Sequence, residues 1–144
     1  AETLLMFAAR AVHLDNAIRP ALAAGRWVVC DRFTDASYAY QGAGRGVSSA
    51  LLDQLSAATH ADLWPARTLL LDLPVAAGLQ RAGRRANAAD RFESEPVEFF
   101  ERVRNNYLAR ARRDPGRVRT IDALQPPAQV LGAVLAGLAD LLPG

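Results

Sequence analysis

The sequence contains no lysine: all 17 basic residues are arginines, against 15 acidic residues. Without lysine, these 144 residues offer neither a Schiff base nor the phosphate-gripping lysine of a P-loop. The net charge is only +2, and because arginines alternate with carboxylates, a general nucleic-acid tether is not predicted. Apolar residues make up 51% of the chain, which is typical of an ordinary globular protein and excludes disordered or collagen-like classes.

Cysteine and long apolar runs are also scarce. Cys30 is the only cysteine, which excludes an intrachain disulfide and a Cys-rich zinc site and favours a reducing, cytoplasmic setting. The longest apolar stretch, residues 130–142, is shorter than the ~20 residues that a membrane span needs. His13 and His60 have no companion at metal-ligand spacing, so we interpret both as structural residues that are at the surface or partly buried.

Helical patterns alternate with short apolar runs along the chain. This alternation predicts an α/β fold in which helices flank a parallel sheet on both faces. Pro20 is expected to kink or restart the first helix, and Gly25 to end it. Three strands are fewer than the ~4–6 of a usual sheet, so either the sheet is small or strands are missing. Two predicted helices cover residues 2–24 and 48–60. Three more begin at Pro74, Ser94 and Pro126, and the last of them runs to Leu142. The predicted strands are residues 27–30, 68–71 and 118–121.

Ligands of open α/β sheets bind beyond the carboxyl ends of the strands, and Asp31-Arg32 follows the first predicted strand. The pair fits either Mg²⁺ and phosphate binding or a plain ion pair or helix cap. The glycines of residues 42–46 have the spacing G-x-G-x-G, which lacks the third glycine of a dinucleotide fingerprint. We therefore predict a flexible loop there, with Arg45 solvated.

Other arginines lie on or beside predicted helices. Arg10 borders the apolar face of the first helix, and such an arginine usually extends to water. A cluster after the second predicted strand has two interpretations, a solvated charged face with local ion pairs or a site for a bound polyphosphate. The cluster consists of Arg81, Arg84, Arg85 and Arg91.

Taken together, several segments resemble the bacterial thymidylate kinases, nucleoside monophosphate kinases that transfer a phosphoryl group from ATP to dTMP in dTTP biosynthesis. The match runs in family order over essentially the whole chain, and its most specific part is Asp-Arg-Phe through Tyr-Gln-Gly at residues 31–42. The other matching segments are residues 1–10, 18–22, 45–46, 71–72, 90–93 and 120–123.

The resemblance implies a role for each matching residue. Arg10 would bind the thymine base and Tyr40 would lie near the sugar. Asp31 would also hold Mg²⁺, and residues 81–95 would form a lid over ATP. The implied dTMP contacts are Met6, Phe7, Arg10, Arg32, Ser37, Tyr40 and Gln41; the implied catalytic residues are Asp31, Arg32, Arg84, Arg85 and Arg91; the implied ATP contacts are Arg81, Arg84, Asp122 and Ala123.

Two positions depart from the family pattern. The aromatic residue that stacks on thymine is usually four residues before the arginine, where this chain has Met6. Phe7 comes one residue later and also fits the core stripe, so the base could pack on either side chain. The spacing within the lid is about one residue off, which leaves open whether Arg84 or Arg85 faces the phosphate.

The family also begins with a strand and a P-loop that ends in Lys-Ser/Thr, and no segment of this chain matches them. We therefore expect residues 1–144 to be a single domain that is the recorded part of a longer chain. The family implies a cytoplasmic homodimer. Two alternatives are a kinase of the same fold for another nucleotide or a small metabolite, and a P-loop-deficient relative that binds nucleotide without turnover.

Overall fold

The computed structural model describes residues 1–61, 63–85 and 95–142. They belong to two compact units, Ala1–Trp64 and Pro65–Gly144. The first unit contains α1 (Glu2–His13), the π-helical turns π1 (Leu14–Ile18), α2 (Arg19–Ala23), α3 (Thr34–Ser37), the π-helical turns π2 (Tyr38–Gly44) and α4 (Ser49–His60). The second contains β1 (Thr68–Asp72), α5 (Val75–Arg85), α6 (Val97–Arg113), β2 (Val118–Asp122) and α7 (Pro127–Leu138).

The first predicted helix is present and runs through α1, π1 and α2 without a break. Pro20 lies in the first turn of α2, as the restart prediction required. The wide turns of π1 come just before it, where a regular α-helical carbonyl would meet the proline ring. Gly25 has φ +71° and its N–H donates to Leu22 O at 2.9 Å, while Arg26 N–H donates to Ala21 O at 3.0 Å. This pair of bonds is a Schellman motif, which ends the helix as predicted.

The core of the first unit is built from the apolar faces of its helices. Phe7, Leu14 and Leu52 are at most 1% exposed, and α1 packs against α4. The predicted cap of α4 is present: Ser48 Oγ accepts a hydrogen bond from the Leu51 N–H at 3.3 Å. The helical periodicity of these segments therefore predicted both elements, but only part of their buried faces. Leu4, Leu22 and Leu51 of the apolar stripes are 55%, 41% and 40% exposed, and α4 buries Ser56 and His60 beside Leu52.

The prediction of a flexible loop at residues 42–46 is wrong for residues 42–44, whereas residues 45–46 lie outside regular secondary structure. Gly42 and Gly44 belong to π2, and Gly44 is buried. A Cβ at Gly42 would lie 3.1 Å from Leu52 Cδ1, closer than comfortable packing allows. The glycine therefore lets the π2 backbone approach the Leu52 side chain of α4, which is a packing role and not a flexible one.

The prediction of a strand at residues 27–30 is also wrong. Residues 26–30 have no regular secondary structure, and Val29 is 94% exposed. The segment has the apolar pattern of a strand, but a strand also needs a hydrogen-bonding neighbour. Within the described residues no strand pairs with this segment.

The other two predicted strands are confirmed and form a parallel pair in the second unit. Thr68 is opposite Val118, and the register runs without a bulge to Asp72 opposite Asp122. Helices α6 and α7 pack on this pair, so the unit has the α/β architecture that the alternation predicted. The last helix ends at Leu138, four residues before the predicted end at Leu142.

Candidate functional site

Arg10 on α1 is the cation around which aromatic side chains of the first unit are arranged. Its guanidinium carbon is 4.6 Å from the ring centroid of Phe7 and 5.3 Å from that of Phe33. Its Nη2 donates a hydrogen bond of 3.0 Å to Ser37 Oγ. Burial lowers the pKa of the Arg10 guanidinium, and its proximity to Cys30 opposes that shift. The expectation that Arg10 extends to water is therefore wrong, because ring contacts and a hydrogen bond hold it inside.

One polar atom of Arg10 and one of Gln41 are buried and have no hydrogen-bond partner among the described residues. They are Arg10 Nη1, a donor, and Gln41 Oε1, an acceptor. Gln41 is four residues after Ser37 along α3 and π2, about one helical turn. A buried donor or acceptor without a partner costs free energy. An orphan donor and an orphan acceptor of this kind are what a polar ligand would satisfy.

The Gln41 side chain is held by Glu2 of α1. Gln41 Nε2 donates to Glu2 Oε1 at 3.2 Å, and Arg45 Nη1 donates to Glu2 Oε2 at 2.7 Å. Arg45 is exposed, as predicted, and its side chain also forms a surface ion pair with this carboxylate. Glu2 therefore orients the amide of Gln41 and leaves its carbonyl oxygen for another donor.

The segment that precedes α3 contains the second cationic side chain of the site. Arg32 has φ +64° and is the one non-glycine residue in the left-handed region among those described. Such a conformation is uncommon for a side-chain-bearing residue and persists only where the surroundings hold it. The Arg32 guanidinium carbon lies 5.0 Å from the ring centroid of Tyr40. Asp31, next to it, is exposed and accessible to a solvated cation.

Phe7 and Met6, the two candidates for packing on a base, differ in their exposure to solvent. Phe7 is 1% exposed and Met6 is 38% exposed. Phe7 packs in the core and lies against the Arg10 guanidinium, whereas the Met6 side chain is accessible. Phe7 therefore packs against the Arg10 guanidinium from within the core, and Met6 is the member of the pair that a ligand can reach.

In the second unit, both parallel strands end in an aspartate at the same edge, Asp72 opposite Asp122. Arg81 Nη1 donates to the carbonyl of Ala123 at 2.8 Å, so α5 is tied to the segment after β2. Asp122 accepts from the Leu124 N–H at 2.9 Å and from Gln125 Nε2 at 2.9 Å. The bond from Gln125, followed by the one from Leu124, lowers the pKa of the Asp122 carboxyl. Three of the implied ATP contacts thus lie together at a strand-end edge.

The remaining implied residues fall at or beyond the border of the described part. Arg84 and Arg85 are in the last turn of α5, where the structure describes the backbone alone. Arg91 and the rest of residues 86–94 lie outside the described residues. That Arg84 or Arg85 faces a phosphate therefore stays a prediction.

Sequence reasoning missed two residues that shape the site, Phe33 and Glu2. Phe33 was part of the segment that carried the resemblance, but its position against Arg10 depends on a 23-residue separation that no periodicity reveals. Glu2 reaches Gln41 across 39 residues. A local signal existed only for Phe33, since it is the aromatic residue next to Arg32.

A parallel strand pair covered by helices, with arginines and carboxylates after the strands, is characteristic of α/β proteins that bind phosphorylated ligands. A family model described as thymidylate kinase matches residues 1–134. The chain belongs to the thymidylate kinase family, a family of phosphotransferases with the P-loop nucleoside monophosphate kinase fold.

Individual relatives agree with this assignment. The chain is 56% identical over 144 residues to a thymidylate kinase of Methylococcus capsulatus, covering 100% of this chain and 69% of the relative. It is 58% identical over 125 residues to one from Alcanivorax borkumensis, 87% of this chain and 60% of the relative. A crystal structure of thymidylate kinase from Ehrlichia chaffeensis superposes with a TM-score of 0.72 at 29% identity, covering 96% of this chain and 63% of that one. The chain thus spans about two thirds of the length of these relatives.

Proposed function

We propose that the protein transfers the γ-phosphoryl group of ATP to dTMP. The bond between the γ-phosphorus and the β–γ bridging oxygen breaks, and a phosphate oxygen of dTMP forms the new bond, which gives dTDP and ADP. The observation that carries the proposal is the half-buried Arg10, whose guanidinium lies over the rings of Phe7 and Phe33 and whose buried Nη1 lacks a partner among the described residues. Such a transfer needs positioning and charge neutralisation more than covalent chemistry from the protein.

The two orphan atoms of the first unit support recognition of a thymine edge. Arg10 Nη1 would donate to O4 of the base, and Gln41 Oε1 would accept from N3–H. Cytosine presents the opposite pattern, an acceptor at N3 and a donor at N4, and would leave both buried protein atoms unsatisfied. Met6 is the accessible side chain for packing on the ring.

The segment around Arg32 supports binding of the sugar and phosphate of dTMP. The Arg32 guanidinium matches the oxygen geometry of a phosphate, and Tyr40, which it stacks upon, would lie beside the sugar. Asp31 would hold Mg²⁺ through water. One exposed carboxylate fits this ion, because Mg²⁺ keeps several waters and takes other ligands from substrate phosphates. The described residues contain no cluster of three metal-ligating side chains, which agrees with such a sparse site. When bound, Mg²⁺ would neutralise phosphate charge.

The second unit would contact ATP. Arg81, Asp122 and Ala123 lie together after the strands and would border the adenine. We further propose that residues 81–95 form a lid, in which Arg84, Arg85 and Arg91 supply positive charge to the transferring phosphoryl group.

The test is phosphorylation of a nucleotide panel by the full-length protein with Mg²⁺ and ATP. We expect dTMP to be the preferred acceptor. The kcat/KM for dUMP, which lacks the methyl group, should be about tenfold lower than that for dTMP. The kcat/KM for dCMP should be lower by a factor of about a hundred or more. Equal rates across the panel would point to a different acceptor and would refute the base assignment.

Binding measured in parallel separates turnover from recognition. Calorimetric titration with dTMP should give saturable binding that Arg10→Ala abolishes or weakens. Binding of dTMP without turnover would support the non-catalytic alternative, in which the chain binds nucleotide but transfers nothing. Absence of both binding and turnover would refute the proposal entirely.

We also infer a cytoplasmic homodimer. Leu4, Leu5 and Val12 of α1 are 55%, 69% and 60% exposed, an apolar surface that a second copy would cover. Cys30 is a free thiol, and no helix that the structure describes is long and apolar enough to cross a membrane. Light scattering on the full-length protein should give twice the protomer mass, and Leu5→Glu should return it to the protomer mass.

A further inference from the structure

His60 is a buried polar residue that the proposed reaction does not use. It is the last residue of α4 and is 1% exposed. Its Nε2 lies 2.6 Å from Oγ1 of Thr34, which is 0% exposed. A hydrogen bond this short between two fully buried groups is far from solvent competition and strongly restricts both side chains.

The His60 ring also contacts Phe33. The two ring centroids are 4.9 Å apart at an interplanar angle of 53°, and Trp64 also packs edge-on against His60, with the centroids 5.2 Å apart. Phe33 in turn lies 5.3 Å from the guanidinium carbon of Arg10. A continuous series of contacts therefore leads from His60 through Phe33 to Arg10.

The segment that His60 holds is conformationally demanding. Arg32 is in the left-handed region at φ +64°, and Phe33 follows with φ −129° and ψ −147°. The helix α3 then starts at Thr34 without a side-chain cap on its first turn. A strained residue persists only where its surroundings fix it, and the bond from Thr34 to His60 fixes the residue at which the strained segment joins the helix.

We propose that His60 is a positioning residue of the acceptor site. It acts through Thr34 and Phe33, fixes the turn that contains Arg32, and thereby holds the guanidinium groups of Arg10 and Arg32 in the geometry that receives the nucleotide. This inference rests on the proposed function, since its consequence is measured with dTMP.

The decisive variants separate the hydrogen bond from the bulk of the ring. His60→Phe keeps a ring against Phe33 and removes the bond to Thr34, while Thr34→Val removes the same bond with almost no change of shape. Each should raise the KM and the Kd for dTMP about tenfold, because loss of the bond lowers the fraction of molecules in which the turn has the binding geometry, and the apparent Kd rises by the same factor. The KM for ATP and kcat should stay within about twofold, because the loss is in acceptor binding.

Two further variants test whether His60 acts through its hydrogen bond to Thr34. His60→Gln places an amide where Nε2 was and should recover part of the dTMP affinity. The double variant His60→Phe/Thr34→Val should bind dTMP no more weakly than either single variant, because both remove the same bond. Ser56→Ala is the matched control: Ser56 is buried on α4 one turn before His60, and its loss should lower thermal stability without changing the KM for dTMP.

Thr34→Val keeps the test valid if His60→Phe does not fold. Folded variants of His60 and Thr34 with the wild-type KM and Kd for dTMP would overturn the inference and leave the proposed function intact. A wild-type protein that neither binds nor phosphorylates dTMP would overturn the proposed function and this inference with it. A parallel rise in the KM for ATP would also overturn the inference, since it would indicate general disruption.

Discussion

The two units of the chain differ in the chemistry of their buried polar groups. The six buried polar residues among those described belong to the first unit, and most of them are neutral hydrogen-bonding groups. The second unit instead buries the charged side chain of Arg67, which is 5% exposed and pairs with the exposed Asp140. Ion pairs that stay partly open to water occur in both units, such as Arg45 with Glu2 and Arg117 with Asp114. The buried set is Thr34, Asp35, Ser37, Gln41, Ser56 and His60.

This difference matters because buried neutral groups and partly exposed ion pairs contribute to ligand binding in different ways. Buried neutral groups must be satisfied one by one, so they fix geometry and reject ligands that leave a partner unpaired. Partly exposed ion pairs contribute little free energy each, because water and salt screen them. Under the proposed function, the first unit would select the base, and the second would contact ATP, a highly charged ligand for which the sign of the charge matters more than its exact position.

Among the variants that compare the two units, Arg10→Ala is expected to have the largest effect, a rise in the Kd for dTMP. The variant removes a charged hydrogen bond to Ser37 and the orphan donor Nη1. Hydrogen bonds of charged groups contribute ~1.5–3 kcal/mol, so the Kd for dTMP should rise about 10- to 100-fold. Calorimetric titration of the full-length protein measures it.

The matched control for that prediction is Arg19→Ala. Arg19 follows Arg10 along the same continuous helix and forms an exposed ion pair with Asp15 at 3.6 Å. Its loss should change the Kd for dTMP by less than about twofold, since exposed pairs contribute little. Equal losses for the two variants would remove the distinction between a half-buried, selective arginine and a surface one.

In the second unit, Arg104→Met should affect stability and not acceptor binding. Arg104 donates two hydrogen bonds to Asp72, at 2.7 and 3.0 Å, and these bonds raise the pKa of the Arg104 guanidinium. The side chains are 29% and 19% exposed, so removing the arginine leaves a half-buried carboxylate without its counter-charge. The free energy of unfolding should fall by about 1–2 kcal/mol.

Chemical denaturation measures that change, with Arg112→Met as control. Arg112 is exposed on the same helix, α6, and its replacement should cost less than about 0.5 kcal/mol. A loss of dTMP affinity in Arg104→Met, with stability unchanged, would contradict the division of roles between the two units.

The parts of the fold that sequence patterns predicted are those in which local rules decide the outcome. Helical periodicity and the Ser48 cap predicted α4, and the proline and glycine signals predicted the restart at Pro20 and the end at Gly25. Patterns failed where a distant partner decides. Residues 27–30 are strand-like in sequence but have no neighbouring strand among the described residues, and Gly42 serves a contact with Leu52 that its glycine-rich surroundings do not reveal.

The site shows the same limit more strongly. The hydrogen bond from Arg10 to Ser37 joins residues 27 positions apart, and only the resemblance to a family suggested that they meet. The expectation that Arg10 extends to water failed because periodicity does not report which aromatic residues will cover a helix face. The link from His60 to Thr34, across 26 positions, was hidden for the same reason.

A smaller effect is expected from Ser48→Ala, which tests how far the first unit depends on a local polar bond. Ser48 caps α4 by accepting from the Leu51 N–H, whereas α6 of the second unit starts after Pro96 with no side-chain cap. Loss of an N-cap costs about 1 kcal/mol, so the free energy of unfolding should fall by that amount. Ser49→Ala, one residue inside the helix, should change it by less than about 0.5 kcal/mol. Similar values for the two serines would mean that the cap does not stabilise the helix.

The smallest effect concerns the thiol of Cys30, which reports on the charge of Arg10. Burial raises the pKa of Cys30, and the Arg10 guanidinium opposes the shift. The thiolate is the reactive form, so alkylation by iodoacetamide should be slow at neutral pH and reach half its maximal rate above pH ~8.5, the ordinary value for cysteine. Arg10→Ala removes the opposing positive charge and should move that midpoint to still higher pH, whereas Arg19→Ala should not move it. A midpoint that falls in Arg10→Ala would mean that the guanidinium does not act on the thiol, and it would contradict the half-buried cation on which the selectivity of the first unit depends.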